Sequence, residues 1–335
     1  FAARASSLTA GGLFHPISRG GSLVLNNLFL TTATATVLLG TLYPMLVEAV
    51  SGEKISVGAP FFNLTFIPLA VPLLLAVPFG PLLAWKRGDL YAVAQRLFFA
   101  FGGALLVTLI GYFFVDGTGV LAAFGMGLAA WLMLGAMTDL ALKAGIGSVS
   151  ASVAWRRFRG LPRSVFGTAL AHFGLGVTVL GIATVTSLDV EEVTVMRPGD
   201  TLPVAGYTLK FEDIAPYRGP NFTEDRARFT YFDAAGRPLG EIISSKRLYT
   251  ARQMPTTEAG IATRGFSQLY VSLGDVAPDG GLVVRVWWKP LVLLIWLGGV
   301  VMMAGGVISL LDRRLRVGAP ARRKTKAVPA GVAAE

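Results

Sequence analysis

Histidine is the residue type in this chain best suited to bind a metal or move a proton, and it occurs only as His15 and His172. The chain has no cysteine, so disulfides, thiolate metal sites and thiol nucleophiles are excluded. Two imidazoles cannot build a multi-histidine metal cage from this chain alone. Any redox chemistry therefore needs a bound cofactor or a partner.

His172 lies in the segment GTALAHFGLG, inside a long apolar run. An ionisable side chain within a membrane-spanning helix is costly and usually has a partner or a functional role. On a helix, Thr168, Ala169 and Gly176 share its face. These residues leave room for a flat group, and neutral imidazole is a common axial ligand of haem iron. The alternative, a hydrogen bond between helices, is the commoner role for a single histidine in a membrane span.

A second set of small residues follows roughly the opposite side of the same helix. Small residues let two helix backbones approach closely within a membrane. We therefore expect a neighbouring helix to hold this helix from behind while His172 faces the other way. The set is Gly167, Ala171, Gly174, Thr178 and Gly181.

The other polar residues near the apolar runs have simpler interpretations. His15 precedes the first run and is followed by a proline, so we expect an exposed interfacial residue. Asp139 and Lys143 are spaced i, i+4 and predict an ion pair at a helix end, with a proton pathway as the alternative. Asn26 and Asn27 could line a cavity, but hydrogen bonding between packed helices is the more common role.

The elements that position these residues are predicted to cross a membrane. The chain has 53% hydrophobic residues, 15% charged residues and a mean hydropathy of +0.60, whereas soluble domains carry about 25% charged residues. Apolar runs of about 20 residues, the length that spans a bilayer, recur along it. We predict an integral membrane helical bundle of about six transmembrane helices, at residues 23–46, 61–85, 97–115, 120–142, 165–186 and 291–311.

Lysine and arginine in the short loops predict the orientation. The loops at residues 47–60 and 116–119 carry only Lys54, so the positive-inside rule places the basic loops and both termini in the cytoplasm. The net charge of +10 is explained by these loops, and nucleic-acid binding is not expected. The basic set comprises Arg4, Arg19, Lys86, Arg87, Arg96, Lys143, Arg156, Arg157, Arg159, Arg163 and residues 313–326.

Residues 188–289 then lie in the periplasm, and their pattern is that of strands. Polar and apolar residues alternate from Tyr207 to Glu212, which is typical of a half-buried sheet. Two hairpins are predicted, 227–233 with 239–244 and 269–273 with 282–286, the second across a turn containing Asp279, Gly280 and Gly281. We expect a β-rich sandwich or barrel. The predicted division is a membrane domain at 1–187, the β domain at 188–289, the sixth helix at 290–312 and a basic cytoplasmic tail at 313–335.

Several stretches resemble one family in the same order along the chain. Together they cover nearly the whole sequence, and as a set they are similar to the bacterial CcmF/CycK family of cytochrome c haem lyases, in the C-terminal half. The stretches are SLVLNNL (22–28), LLGTLYP (38–44), KISVGAPFFN (54–63), GPLLAWK (80–86), ALAH (169–172), MPTTEAGI (254–261), LYVSLGD (269–275) and KPLVLLIWLG (289–298).

The resemblance implies a function in making c-type cytochromes at the bacterial inner membrane. It implies a haem lyase subunit that transfers haem from a periplasmic haem chaperone to the CXXCH cysteines of apocytochrome c. His172 matches the second of two transmembrane histidines that ligate a b-type haem, with Thr168, Ala169 and Gly176 facing that haem. Implied partners are the N-terminal half of the same lyase, apocytochrome c, the haem chaperone, thiol-reducing and apocytochrome-docking subunits, and membrane lipid.

The sequence also departs from the family pattern. The tryptophan-rich periplasmic motif, its two flanking histidines and the first transmembrane histidine have no counterpart here. We therefore expect a fragment or one half of a longer polypeptide, with the second axial ligand supplied by the other half. A lyase dedicated to one multihaem enzyme, a membrane transporter or permease, and a non-catalytic scaffold of an assembly complex remain open alternatives.

Overall fold

A computed structural model describes residues 15–115, 119–251, 253–278 and 280–312. Long helices fill the first part of the chain, strands follow, and one more helix ends the described region. The helices are α1 (Arg19–Ser51), α2 (Ala59–Ala76), α3 (Leu90–Arg96), α4 (Phe98–Phe114), α5 (Val120–Ala144), α6 (Ala151–Arg159), α7 (Arg163–Leu188) and α8 (Leu293–Leu310).

The helical part agrees with the predicted membrane bundle. By length and composition, α1, α2, α5, α7 and α8 could each cross a membrane. Helices α3 and α4 meet at a bend of 60° and make a sixth candidate if they form one span. The prediction of one straight helix at 97–115 was incomplete, because α3 precedes it at an angle.

The second predicted span, at 61–85, extends too far as a regular helix. Helix α2 ends at Ala76, and turns and a short 3-10 segment, Gly80–Leu82, follow it. Pro78 and Pro81 lack the backbone N–H that a continuing helix needs. This irregular segment matters because it forms one wall of the cavity described below.

Helices α7 and α8 pack along the predicted small-residue face. A methyl group added at Gly174 would lie 2.8 Å from the carbonyl oxygen of Gly298, and one added at Gly167 would lie 2.4 Å from that of Gly305. The two backbones therefore touch directly, as small residues permit. At the start of α7 the Ser164 N–H donates to the Asp312 carboxylate at 3.0 Å, which satisfies an otherwise unpaired helix N-terminal donor.

The β domain is a sandwich of two antiparallel sheets. One sheet has the order β1-β9-β8-β7 and the other β2-β3-β4-β5-β6. Both predicted hairpins are confirmed, as β4 with β5 and as β8 with β9. The strands are β1 (Val190–Met196), β2 (Thr201–Val204), β3 (Tyr207–Arg218), β4 (Phe222–Phe232), β5 (Pro238–Tyr249), β6 (Met254–Glu258), β7 (Gly260–Arg264), β8 (Ser267–Val276) and β9 (Leu282–Lys289).

The sandwich core follows from the alternation in the strands. Leu209 and Phe211 on β3 point inward and are fully buried, while their neighbour Lys210 points outward. The ring of Phe211 stacks on that of Phe229 with centroids 4.9 Å apart. The alternation predicted for residues 207–212 is therefore confirmed.

The closest helix pair continues directly into the sandwich. Helix α7 ends at Leu188 and β1 begins at Val190, while β9 ends at Lys289 and α8 begins at Leu293. Strands β1 and β9 pair, with Val190 opposite Trp288. The α7/α8 pair therefore forms a stem for the β domain and places α7, with His172, beneath it.

Some expectations lie outside the described residues. These are the expectations for Arg4, the loop residues 116–118, Asp279 in the second hairpin turn, and the basic tail at 313–335.

Candidate functional site

His172 faces a cavity between α7, α1 and the end of α2. The residue lies nine positions after Arg163, the first residue of α7, which is about 13 Å along the helix. The cavity has a volume of about 270 Å³. It is lined by Arg19, Ser22, Leu23, Leu25, Asn26, Leu73, Ala76, Val77, Gly80, Pro81, Thr168 and His172.

The first turn of α1 places a cation at this cavity. The buried Ser18 caps α1 by accepting a hydrogen bond from the Gly21 N–H at 3.0 Å. The backbone N–H of Arg19 donates to the Ala84 carbonyl at 2.8 Å, so the segment after α2 fixes the start of α1. The Arg19 guanidinium lies 5.0 Å from the centroid of the Trp85 ring. Arg19 is therefore held by backbone and by ring contact on the cavity wall.

Asn26 adds a polar group to the same wall. Its amide donates to the Asn27 side-chain oxygen at 3.4 Å, and among the described residues no hydrogen bond links either side chain to another helix. Asn26 lines the cavity, which favours the cavity interpretation over packing for this residue. A larger cavity of about 830 Å³ shares Ser22, Leu25 and Ala76 with the first.

The predicted neighbours of His172 divide between two sides of α7. Thr168 lines the cavity, and its hydroxyl donates to the Ser164 carbonyl at 2.9 Å. Ala169 and Gly176 are buried against α5 instead, where a methyl on Gly176 would lie 2.9 Å from the Ala129 carbonyl oxygen. Thr168 and His172 are thus the members of the predicted set that share the cavity.

A buried ion pair lies on the α5 side of His172. The Lys143 ammonium contacts the Asp139 carboxylate at 2.6 Å, as the i, i+4 spacing predicts. Asp139 is 3% exposed, and its Oδ1 has no hydrogen-bond partner among the described residues. The pair lies on α5, which packs against α7, whereas the cavity lies on the side of α7 that faces α1 and α2.

The arrangement suits a flat, largely apolar group that carries acid groups. One imidazole could ligate a metal held by that group, and Arg19 could pair with a carboxylate at its edge. Among the described residues no cluster of three or more His, Cys, Asp or Glu side chains could hold a bare metal ion. His15 is exposed and lies outside this cavity, as predicted.

The β domain holds a second buried charge cluster. Glu224 is 4% exposed and accepts hydrogen bonds from Ser245 at 2.7 Å, Arg226 at 2.6 Å and Arg247 at 3.0 Å. Burial opposes ionisation, but these hydrogen bonds outweigh it and lower the pKa of Glu224 below its ordinary value. Arg226 and Arg247 in turn stack on Tyr217 and Phe222. The charges of this cluster are therefore paired with one another on β4 and β5 of the five-stranded sheet.

Sequence reasoning identified His172 and Thr168 but missed the opposite wall. Arg19 was grouped with the loop residues that set orientation, although GPLLAWK (80–86), the segment that positions it, was noted as distinctive. Proximity between residue 19 and residues 80–86 depends on how α1 packs on the end of α2. That packing has no periodic signal in either segment.

Helices long and apolar enough to cross a membrane, a β-sandwich carried on the last two of them and a histidine facing a cavity between helices define a helical-bundle protein with a sandwich domain. Residues 187–290 match the family model described as the CcmF C-terminal beta-sandwich. The chain is 63% identical to the cytochrome c-type biogenesis protein CycK of Rhizobium meliloti over 97% of its length, covering 48% of that protein. It is 37% identical to CcmF of Pseudomonas aeruginosa over 95% of its length, covering 47% of that protein.

The solved structure of "Cytochrome c Heme Lyase CcmF" has the same fold, with a TM-score of 0.65 at 24% identity over 89% of this chain and 46% of that one. The chain belongs to the CcmF/CycK family of cytochrome c-type biogenesis proteins. It spans about half the length of the relatives it matches.

Proposed function

We propose that this chain is the part of a cytochrome c haem lyase that holds a b-type haem within the membrane. The observation that supports the proposal is the His172 imidazole facing a cavity whose opposite wall carries Arg19. Family membership supports haem as the relevant group, since the relatives are named for cytochrome c biogenesis. The lyase reaction proposed for the complete protein joins haem to the CXXCH cysteines of apocytochrome c through thioether bonds.

The residues present fit one face of a haem. The His172 imidazole supplies a neutral nitrogen ligand, apolar Leu73 and Val77 suit a porphyrin ring, and Arg19 suits a propionate. Bound there, a haem would supply one-electron redox chemistry. A further ligand to the haem iron would come from a residue outside this chain.

The chain's own residues have separable tasks in this proposal. The α7/α8 contact fixes the backbone that carries His172, because the backbones of the two helices touch directly at glycine positions. Thr168 bonds to its own helix and so leaves the imidazole free to face the cavity. Arg19 is held in place by the Ala84 carbonyl and the Trp85 ring, so its charge is pre-positioned for an acid group.

We extend the proposal to location and partners. Basic residues gather at the bundle end opposite the sandwich, which supports a cytoplasmic position for that end and a periplasmic one for the β domain. There the sandwich would meet the haem chaperone, apocytochrome c and the docking subunits. The membrane is then the bacterial inner membrane, and the remaining half of the lyase supplies the substrate-haem site.

A maturation assay tests the function. The full-length lyase is expressed in cells that lack their own, and covalent haem attachment to a reporter cytochrome is measured for His172→Ala and His15→Ala. We expect His172→Ala to abolish attachment and His15→Ala to retain it, because only His172 faces the cavity. Normal attachment by a stably produced His172→Ala protein would refute the proposal and favour a scaffold or transporter.

A further inference from the structure

Helix α6 is an amphipathic helix that the sequence analysis had treated as part of a basic loop. It runs over Ala151–Arg159 between two candidate spans, α5 and α7. It adjoins the N-terminal end of α7, whereas the C-terminal end of α7 leads into β1, so α6 lies at the end of the bundle opposite the β domain. The connections at residues 145–150 and 160–162 are short, so α6 cannot move far from the ends of the two spans.

The apolar side of α6 packs toward the bundle. Ala154 is buried, and the Phe158 ring meets the Phe166 ring of α7 edge to face, with centroids 5.0 Å apart. Trp155 stacks on Phe158 at 5.7 Å with 10° between the planes, yet it remains 59% exposed. An exposed indole beside a packed aromatic pair is the arrangement that suits the boundary between lipid headgroups and acyl chains.

The polar side of α6 carries cations without acidic partners. Arg156, Arg157 and Arg159 are all exposed, and among the described residues none of them forms an ion pair. Arg159 instead lies over the Trp155 ring, 5.7 Å from its centroid. Helix α6 therefore combines a packed apolar side, an exposed indole and three charges that need a counter-ion.

We propose that α6 is a binding site for anionic phospholipid, in which Arg156, Arg157 and Arg159 contact headgroup phosphates while Trp155 enters the lipid interface. Two features favour lipid over a soluble acidic partner. The ends of α5 and α7 hold α6 at the membrane surface, and the exposed Trp155 needs an apolar boundary next to the charges. The proposal does not depend on haem, only on α5 and α7 crossing the membrane.

This chain has no cysteine, so a cysteine introduced into it can be labelled selectively once any cysteine in the rest of the full-length protein has been replaced. Ser152→Cys on α6 is labelled with a fluorophore in the full-length protein in lipid nanodiscs, and quenching is compared between spin-labelled phosphatidylglycerol and spin-labelled phosphatidylcholine. A label at Ser51→Cys, on the exposed far end of α1, reports ordinary lipid proximity. A basic residue near the surface favours anionic lipid by about fivefold, so we expect at least about a fivefold preference at Ser152 and a ratio near one at Ser51.

Charge variants separate a specific site from general attraction. In the Ser152→Cys background, changing the three α6 arginines to glutamine should remove the preference, and changing them to lysine should keep part of it. A matched control changes the exposed β-domain residues Arg218, Arg237 and Arg285 to glutamine, with the same loss of charge and no expected effect. The set altered on α6 is Arg156, Arg157 and Arg159.

The possible results all decide the question. Equal quenching by the two lipids in the unaltered protein, or no quenching by either, overturns the proposal. So does a preference that survives the glutamine changes, or one that the β-domain control removes equally. If the glutamine protein fails to fold, raising the salt concentration around the unaltered protein gives the same test, since screening should abolish an electrostatic preference.

Discussion

Paired glycines in α8 offer a stringent test of the α7/α8 contact. A methyl at Gly298 would lie 2.5 Å from the Gly174 carbonyl oxygen and 2.6 Å from the Thr178 amide nitrogen, whereas ordinary contact begins at 3.4 Å. The Thr178 hydroxyl lies nearer still, at 2.2 Å, but it can rotate away. The other two obstacles are backbone atoms, so the helices must separate by about 0.9 Å, the difference between 3.4 Å and 2.5 Å. Overpacking of this kind costs about 1–3 kcal/mol.

The adjacent Gly299 is the matched control, because a methyl there meets nothing within 4 Å. Replacing glycine by alanine within a helix stabilises it by about 0.5–1 kcal/mol. We therefore expect Gly298→Ala to lower the apparent melting temperature in detergent, measured by circular dichroism, and Gly299→Ala to raise it slightly. Because this gain applies to both variants, the predicted difference in unfolding free energy between them is the overpacking cost, about 1–3 kcal/mol.

Gly305 and Gly306 form a second pair of this kind, seven residues further along α8. A methyl at Gly305 would lie 2.6 Å from the Gly167 carbonyl oxygen, whereas one at Gly306 is unobstructed. Equal melting temperatures for Gly298→Ala and Gly299→Ala, and again for the second pair, would refute the close α7/α8 contact. Only the contact-facing glycine of each pair should be sensitive.

Three further predictions concern buried charges and the cavity. The pKa of Glu224 is lowered on folding, so its charge stabilises the β domain above the ordinary carboxyl pKa, and this contribution is lost as the pH falls through the lowered value. Glu224→Gln should cost about 2–3 kcal/mol of unfolding free energy at neutral pH and should reduce the loss of stability in acid, measured by thermal melts across the pH range. An unchanged acid profile in this variant would contradict the role of the Glu224 charge. Lys143→Met leaves the Asp139 carboxylate buried and unpaired and should lower the unfolding free energy by about 3 kcal/mol in melting experiments. Most of this loss should be recovered in the double variant that also carries Asp139→Asn, whereas additive losses would argue against the ion pair. Arg19→Gln should lower the haem content of the purified full-length lyase several-fold. Arg87 is a nearby exposed arginine outside the cavity, so Arg87→Gln should leave the haem content unchanged. Equal haem content in the two variants would remove Arg19 from the site.

Regular periodicity made much of the fold predictable from the sequence. The apolar runs gave the bundle, the stripe containing Gly167 and Gly174 gave the α7/α8 contact, and the alternation around Leu209 gave the sandwich strands. Each of these features repeats along one element, so the sequence carries it locally. The residues Lys143 and Asp139 were predictable for the same reason.

The irregular parts were not predictable in the same way. Prolines end α2 early, and α6 is short enough that three arginines obscured its amphipathic pattern. The cavity wall carrying Arg19 and Asn26 forms only when α1 packs on the segment after α2. Contacts between irregular segments distant in sequence leave no periodic trace, so half of the candidate site emerged only from the three-dimensional arrangement.

The central claim is that the His172 side chain ligates haem iron. Full-length lyase is purified in detergent, and its reduced absorption spectrum is recorded for the unaltered protein and for His172→Gly, with and without added imidazole. We expect a b-type spectrum in the unaltered protein that is lost or altered in His172→Gly and is restored by imidazole entering the vacated space. An unaltered spectrum in folded His172→Gly, or no haem in the well-folded unaltered protein, would contradict it.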